Sequence, residues 1–197
     1  MIKIVVINGS GGVGKDTFVN FCSQIIYSPI VNKSLTESNA EVILDSKLSN
    51  IDYAYLSKKI GKVIGWQGSK TERDREFLSK LTKLLAEYND SPFDYVINTV
   101  YTNLDILKKT YGCDNIIIFI HVREPEQIKR FEEYFSNRDY FTTLKIENNN
   151  VPKIYSNSAD RDVDYYHYDF VLPNDGTLED LKHKAKLFCN CLFGKFE

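Results

Sequence analysis

The chain has 197 residues, 43% of them hydrophobic and 26% charged, with a net charge of −2 at pH 7. That length fits one domain, 1–197, burying roughly 70% of the surface its unfolded chain exposes. So small a net charge excludes a strong overall field toward nucleic acid or a membrane surface, so any anion must be held by local geometry.

In chain order, "IKIVVING" (2–9) is a β-branched apolar run ending in Gly, which predicts a buried parallel strand. From Lys15 onward, Phe18, Phe21, Cys22, Ile25 and Ile26 recur at helical spacing. "AEVIL" (40–44) predicts a second strand, and "YAYLSKKIGKVIGW" (53–66) a helix ending near Gly65. After the polar break "QGSKTERDR" (67–75), Phe77, Leu78, Leu81, Leu84, Leu85 and Tyr88 form a helical apolar stripe. "SPFD" (91–94) is a helix start, with Ser91 as cap and Pro92 at the first helical position, for a helix over 92–111.

"NIIIFIHV" (115–122) predicts a second buried strand, passing into a helix that Pro125 opens. "YFTTLKI" (140–146) and "YDFVL" (168–172) predict two more strands. "NDGTLEDLKHKAKLF" (174–188) closes the chain as a turn and a helix capped by Thr177. Strands alternating with helices predict an α/β fold with a mainly parallel sheet, whose ligands gather at the carboxyl ends of the strands. The cysteines, Cys22, Cys113, Cys189 and Cys191, are spaced for neither zinc nor a C-x-x-C pair. Reduced thiols in the cytoplasm are the expectation. No leader pattern opens the chain, and "IVVI" is too short to span a bilayer.

Between the first strand and first helix stands "GSGGVGKDT" (9–17), of which Gly9 to Lys15 fit G-x-x-x-x-G-K. Main-chain amides of Ser10, Gly11, Gly12, Val13 and Gly14 can surround a phosphate there, with the helix dipole behind them. Lys15 adds a charge that reaches the outer phosphates of ATP. Gly9, Gly11 and Gly14 also fit the dinucleotide pattern G-x-G-x-x-G. That pattern wants an acidic residue about 20 residues on, and "YSPIVNK" (27–33) has none. The triphosphate is therefore favoured. Asp16 stands where Ser or Thr is usual; beside phosphates a carboxylate is repelled unless a cation intervenes. Asp16 with Thr17 therefore points to Mg2+, while a plain helix-start charge is the alternative.

"GKDT" (14–17), "VREPEQI" (122–128) and "YDFVLPNDGTLEDL" (168–181) together resemble the P-loop deoxynucleoside monophosphate kinases. More distant relatives of that group include phosphomevalonate and dephospho-coenzyme A kinases. The resemblance implies a three-layer P-loop fold with a mainly parallel five-stranded sheet. It also implies a helical acceptor-binding insert (about 46–112) and a lid (about 130–150). The activity implied is transfer of the γ-phosphate of ATP, with Mg2+, to a (deoxy)nucleoside monophosphate. An Asp after the loop lysine is usual in that group, so Asp16 reads as a signature. Arg123 would contact the acceptor. Lys70 with Arg73 or Arg75 would hold the acceptor's phosphate, since a guanidinium grips phosphate with two parallel bonds. Asn174 and Gly176 lie in the segment that packs on adenine in related kinases. Arg138, in a loop, is the expected charge-stabilising residue of the lid, in preference to Arg130 or Lys145.

One departure stands out. The group carries "DVR" where this chain has His121, Val122 and Arg123, and a histidine is a poor substitute for a hard oxygen ligand of magnesium. That leaves open a low-turnover nucleotide-binding sensor or interaction module, beside a kinase for a different acceptor. No nucleic-acid or membrane partner is expected, and the sequence leaves the oligomeric state open.

Overall fold

A computed structural model describes residues 1–26, 30–35, 72–112, 115–135, 140–152 and 162–194. The elements are β1 (Ile2–Asn8), α1 (Lys15–Ile26), β2 (Val31–Ser34), α2 (Glu72–Asn89), α3 (Ser91–Tyr111), β3 (Ile116–His121), α4 (Pro125–Phe135), β4 (Phe141–Glu147), a 3-10 turn (Asp162–Tyr165), β5 (Phe170–Pro173) and α5 (Leu178–Phe193). They divide into two compact units, Met1–Lys33 with Val100–Glu197, and Ser34–Thr99. Among the described residues, no helix is long and apolar enough to cross a membrane.

The first unit is α/β, built on a five-stranded sheet in the order β2-β3-β1-β4-β5. β1 runs parallel to β3 and to β4, and β4 parallel to β5. Parallel strands with both faces covered read as continuous apolar runs, and β3 does so, with Ile116 to Ile120 fully buried. One face presents Val5, Ile7, Ile117, Phe119, Leu144 and Ile146 to Phe18 and Cys22 of α1 and to Leu181, Ala185 and Phe188 of α5. On the opposite face, which carries Phe141, the ring of Phe135 in α4 stacks 6.0 Å from it.

Cys22 and Cys189 meet inside the α1–α5 contact; burial, then the neighbouring thiol, pushes the Cys22 pKa up. Both are free and buried, and Cys191 is free and exposed.

A strand not expected from sequence forms at Val31–Ser34; the expected strand over 40–44 and the expected helix over 53–66 lie outside the described residues. In the second unit, α2 forms where the apolar stripe predicts it. Yet Phe77, Leu84 and Tyr88 of that stripe are exposed there. α3 starts one residue earlier than expected, and Ser91 is not its cap. The Asp90 carbonyl accepts from Phe93 N (3.1 Å), Asp90 itself has φ +57°, and the buried Ser91 hydroxyl has no hydrogen-bond partner among the described residues.

The cap of α5 is the one predicted. Thr177 Oγ1 accepts from Asp180 N (3.2 Å), and the Asp180 carboxylate accepts from Thr177 N (2.8 Å). These bonds from the Thr177 amide and hydroxyl hold the Asp180 carboxyl below its ordinary range. A depressed folded-state pKa contributes stability above the unfolded value of about 4 and loses it as pH falls through the folded value. Thr177→Ala is expected to lower Tm by about 2–4 °C at pH 7, with the gap to wild type narrowing in melts at acid pH.

Candidate functional site

Residues 9–14 join the carboxyl end of β1 to the amino end of α1. Gly9, Gly12 and Gly14 have φ of +139°, +82° and +97°, conformations a residue with a Cβ rarely adopts. At Gly9 a Cβ would run into the Ile146 carbonyl of β4, so only glycine lets the loop leave the sheet so close to its neighbour strand. At Gly14 a Cβ would stand 2.6 Å from Asn174 Nδ2. The Lys15 ammonium folds back over this loop, donating to Gly9 O (2.6 Å) and Ser10 O (2.8 Å). α1 takes its first helical bond at Phe18 N, to Gly14 O. The amides at the start of such a helix have no partner inside it, and the dipole there favours an anion.

Asp16 lies in the first turn of α1 with its side chain 89% exposed, and Thr17 beside it is half-buried. His121, at the end of β3, is the nearest departure from the expected pattern. Its ring is only 15% exposed; Nε2 lies 2.6 Å from Asn32 Oδ1 of β2 and 4.0 Å from Asp16 Oδ1. The structure thus brings together His121 at the carboxyl end of β3, Asn32 near the start of β2 and Asp16 in the first turn of α1. Asn32 was not among the residues expected from sequence. "VNKS" carries one buried residue in four and gives no strand signal. Among the described residues, no group of three or more His, Cys, Asp or Glu side chains is clustered to hold a metal by itself. Magnesium, however, is usually held by one or two carboxylates and keeps several waters alongside substrate phosphates. The exposed Asp16 carboxylate in the first turn of α1, with Thr17 next to it, fits that manner of binding.

Two further turns close on the loop from the β4–β5 side. Asn174 Nδ2 donates to Val13 O (2.9 Å), and Asn174 N to Glu147 O (2.7 Å). Asp175 accepts from Asn149 N (2.6 Å) and Asn149 Nδ2 (2.9 Å), which ties the turn after β4 to the turn after β5. Gly176 leads directly into the Thr177 cap. Of the two positions expected in this segment, Asn174 is therefore locked to the glycine loop, while Gly176 belongs to the start of α5.

Arg123 lies just beyond β3, half-buried, and its carbonyl accepts from Asn8 Nδ2 (3.0 Å). Arg130 lies on α4 with Nη1 donating to Gln127 Oε1 (3.1 Å). Of the segment 130–150 expected as a lid, 130–135 complete α4 and 141–147 are strand β4 in the sheet, while 136–139 lie outside the described residues. Lys145 sits in that strand, 15% exposed, on Asp164 (2.5 Å) and Glu147 (3.0 Å). Burial would lower its pKa, but the hydrogen bonds and charges of the two carboxylates outweigh burial and raise it. Arg138 and Lys70 lie outside the described residues. Arg73 is exposed on α2 in the second unit, where the backbone of Arg75 is also helical.

The sequence matches no protein-family model and no curated protein.

Proposed function

We propose that the chain is an ATP-dependent P-loop phosphotransferase acting on a (deoxy)nucleoside monophosphate or a similar small phosphorylated acceptor. One observation carries the reading. Three glycines at positive φ link a buried strand to a helix start, and the lysine opening that helix is folded onto the loop's own carbonyls. Such a loop has main-chain amides to offer an anion and a cation already held above it. The 2-3-1-4-5 order of the sheet, with Asn174 bonded to the loop, supports the same reading.

In this mechanism the loop amides cradle the β-phosphate and Lys15 exchanges its carbonyl partners for β- and γ-phosphate oxygens. Mg2+, when bound, neutralises charge on those oxygens, and Asp16 and Thr17 are the residues that would hold it. An oxygen of the acceptor's phosphate attacks the γ-phosphorus in line; the bond to the β–γ bridging oxygen breaks and ADP leaves. Transfer of this kind gains its rate from positioning and charge neutralisation. Arg123 orients the acceptor from the end of β3, and Arg138 acts on the transferring group. Asn174 and Gly176 lie along the base of ATP. The reaction is placed in the cytoplasm.

A second reading, a nucleotide-binding module with little turnover, draws on His121 standing on Asn32 and beside Asp16 where the resembled kinases have an acid. One assay separates the two. ADP release is measured with ATP, Mg2+ and a panel of nucleoside monophosphates, dephospho-coenzyme A and mevalonate phosphate. A response to one or more nucleoside monophosphates is expected. A response confined to one of the other acceptors moves the assignment to that kinase class. A flat response to every acceptor, with ATP still bound, contradicts the phosphotransferase reading and favours the module.

A further inference from the structure

Asn8 has no part in the chemistry above, yet its side chain is spent in three directions. It is the last residue of β1 and is 1% exposed. Its Oδ1 accepts from Gly9 N (2.7 Å); its Nδ2 donates to Arg123 O (3.0 Å) and to the Tyr168 hydroxyl (2.6 Å). Tyr168 in turn donates to Val163 O (3.0 Å) in the 3-10 turn. Both amide hydrogens and the amide oxygen are therefore satisfied, and the order of donors along the chain is fixed. The Tyr168 hydroxyl is kept neutral, its pKa pushed well up by burial although the Asn8 bond pulls it down.

The position of these bonds matters more than their number. The register between β1 and β3 ends at Ile7 and His121, and Val122 N→Ile7 O (3.3 Å) is a last main-chain bond between the two segments. One step further, where the glycine loop turns away, the Asn8 amide takes the place of a backbone donor and holds the Arg123 carbonyl. The same side chain holds the amide of the loop's first residue. Two segments that the sheet no longer binds to each other are thus tied by one residue.

We propose that Asn8 is a positioning residue: it fixes the spacing between the triphosphate-binding loop and Arg123, and so between donor and acceptor. This rests on the phosphotransferase reading. Misplacement by about 1 Å costs on the order of 100-fold in such reactions, so a strut at this point acts on kcat more than on nucleotide affinity. Tyr168 supports the strut from the far side, and losing its hydroxyl loosens one of the three anchors only.

The test is to compare wild type, Asn8→Ala and Tyr168→Phe for Tm, ATP dissociation constant, and kcat and KM for the acceptor. Asn8→Ala is expected to lower kcat by about 10- to 100-fold, with the ATP dissociation constant changed by less than about fivefold. Tyr168→Phe, the milder change, is expected to lower kcat by about two- to fivefold with the acceptor KM and the ATP dissociation constant retained, and it answers the question if Asn8→Ala does not fold. A fall in Tm with kcat per folded molecule unchanged in either variant overturns the proposal, because a purely structural residue gives that result. Wild-type protein in the same assays separates the two levels. Transfer by wild type with insensitive variants defeats the strut alone; no transfer by wild type defeats the phosphotransferase reading and the strut with it.

Discussion

Lys15→Ala is expected to weaken ATP binding in the presence of Mg2+ by about 10- to 100-fold. The ammonium stands on the Gly9 and Ser10 carbonyls, over the loop that the proposal fills with phosphates. Hydrogen bonds to a charged group are worth about 1.5–3 kcal/mol each, and one such bond to a phosphate oxygen already spans that range of affinity. The substitution leaves the glycine loop and the helix dipole in place, so residual binding is expected, not none. Lys15→Arg is a sharper companion. It keeps the charge but replaces a compact ammonium with a planar fork, so affinity should fall with this variant too, though by less. Calorimetric titration measures both. Unchanged affinity in Lys15→Ala would remove the lysine from the site.

Gly9→Ala is expected to be the most damaging glycine-to-alanine change among the described residues. At φ +139° an L-residue is strained by about 1–3 kcal/mol. The new Cβ would also collide with the main-chain carbonyl of Ile146, an atom held in the sheet that cannot swing aside. Together these place the loss at about 3 kcal/mol, or about 6–12 °C in Tm for a chain of this size. The comparison is Gly12→Ala. There φ is +82°, and the nearest atom to a Cβ is Val151 Cγ1 at 3.7 Å, an ordinary contact. That variant should lose about 1 kcal/mol, the left-handed strain alone. Thermal melts of the two variants test the order of effects. Equal melting temperatures would contradict the close passage of the loop beside β4.

The parts of the fold legible in the sequence are those where local and global signals coincide. β1 and β3 read as continuous apolar runs because both faces of the sheet are covered, and α5 announces itself through Thr177 and Asp180. β2 did not read as a strand. It lies at the sheet's edge, with Val31 its single buried residue, so nothing in "VNKS" distinguishes it from a turn. Ser91 looked like a cap because serine before proline usually is one, but Asp90 supplies the carbonyl that takes the first amides of α3. Lys145 falls within the strand predicted over 140–146, and only the fold shows that its charge is taken up by Asp164 and Glu147.

The candidate site divides in the same way. Gly9 to Lys15 is visible in one line of sequence because a single short segment holds the whole device. Asn8, Asn32 and Tyr168 are invisible there, since each acts through partners more than 80 residues away in the chain. In the sequence Asn8 stands inside the run predicted as the first strand. That its amide extends a β ladder appears only when Arg123 is placed beside it.

A phosphotransferase of this kind requires that the glycine loop hold a triphosphate. Wild-type protein titrated with ATP, with and without Mg2+, measures this directly, with thermal melts alongside. Binding at one site, tightened by Mg2+, is expected, with Tm raised by about 5–10 °C at a hundredfold excess over the dissociation constant. No heat of binding and no rise in Tm with ATP under either condition would contradict it.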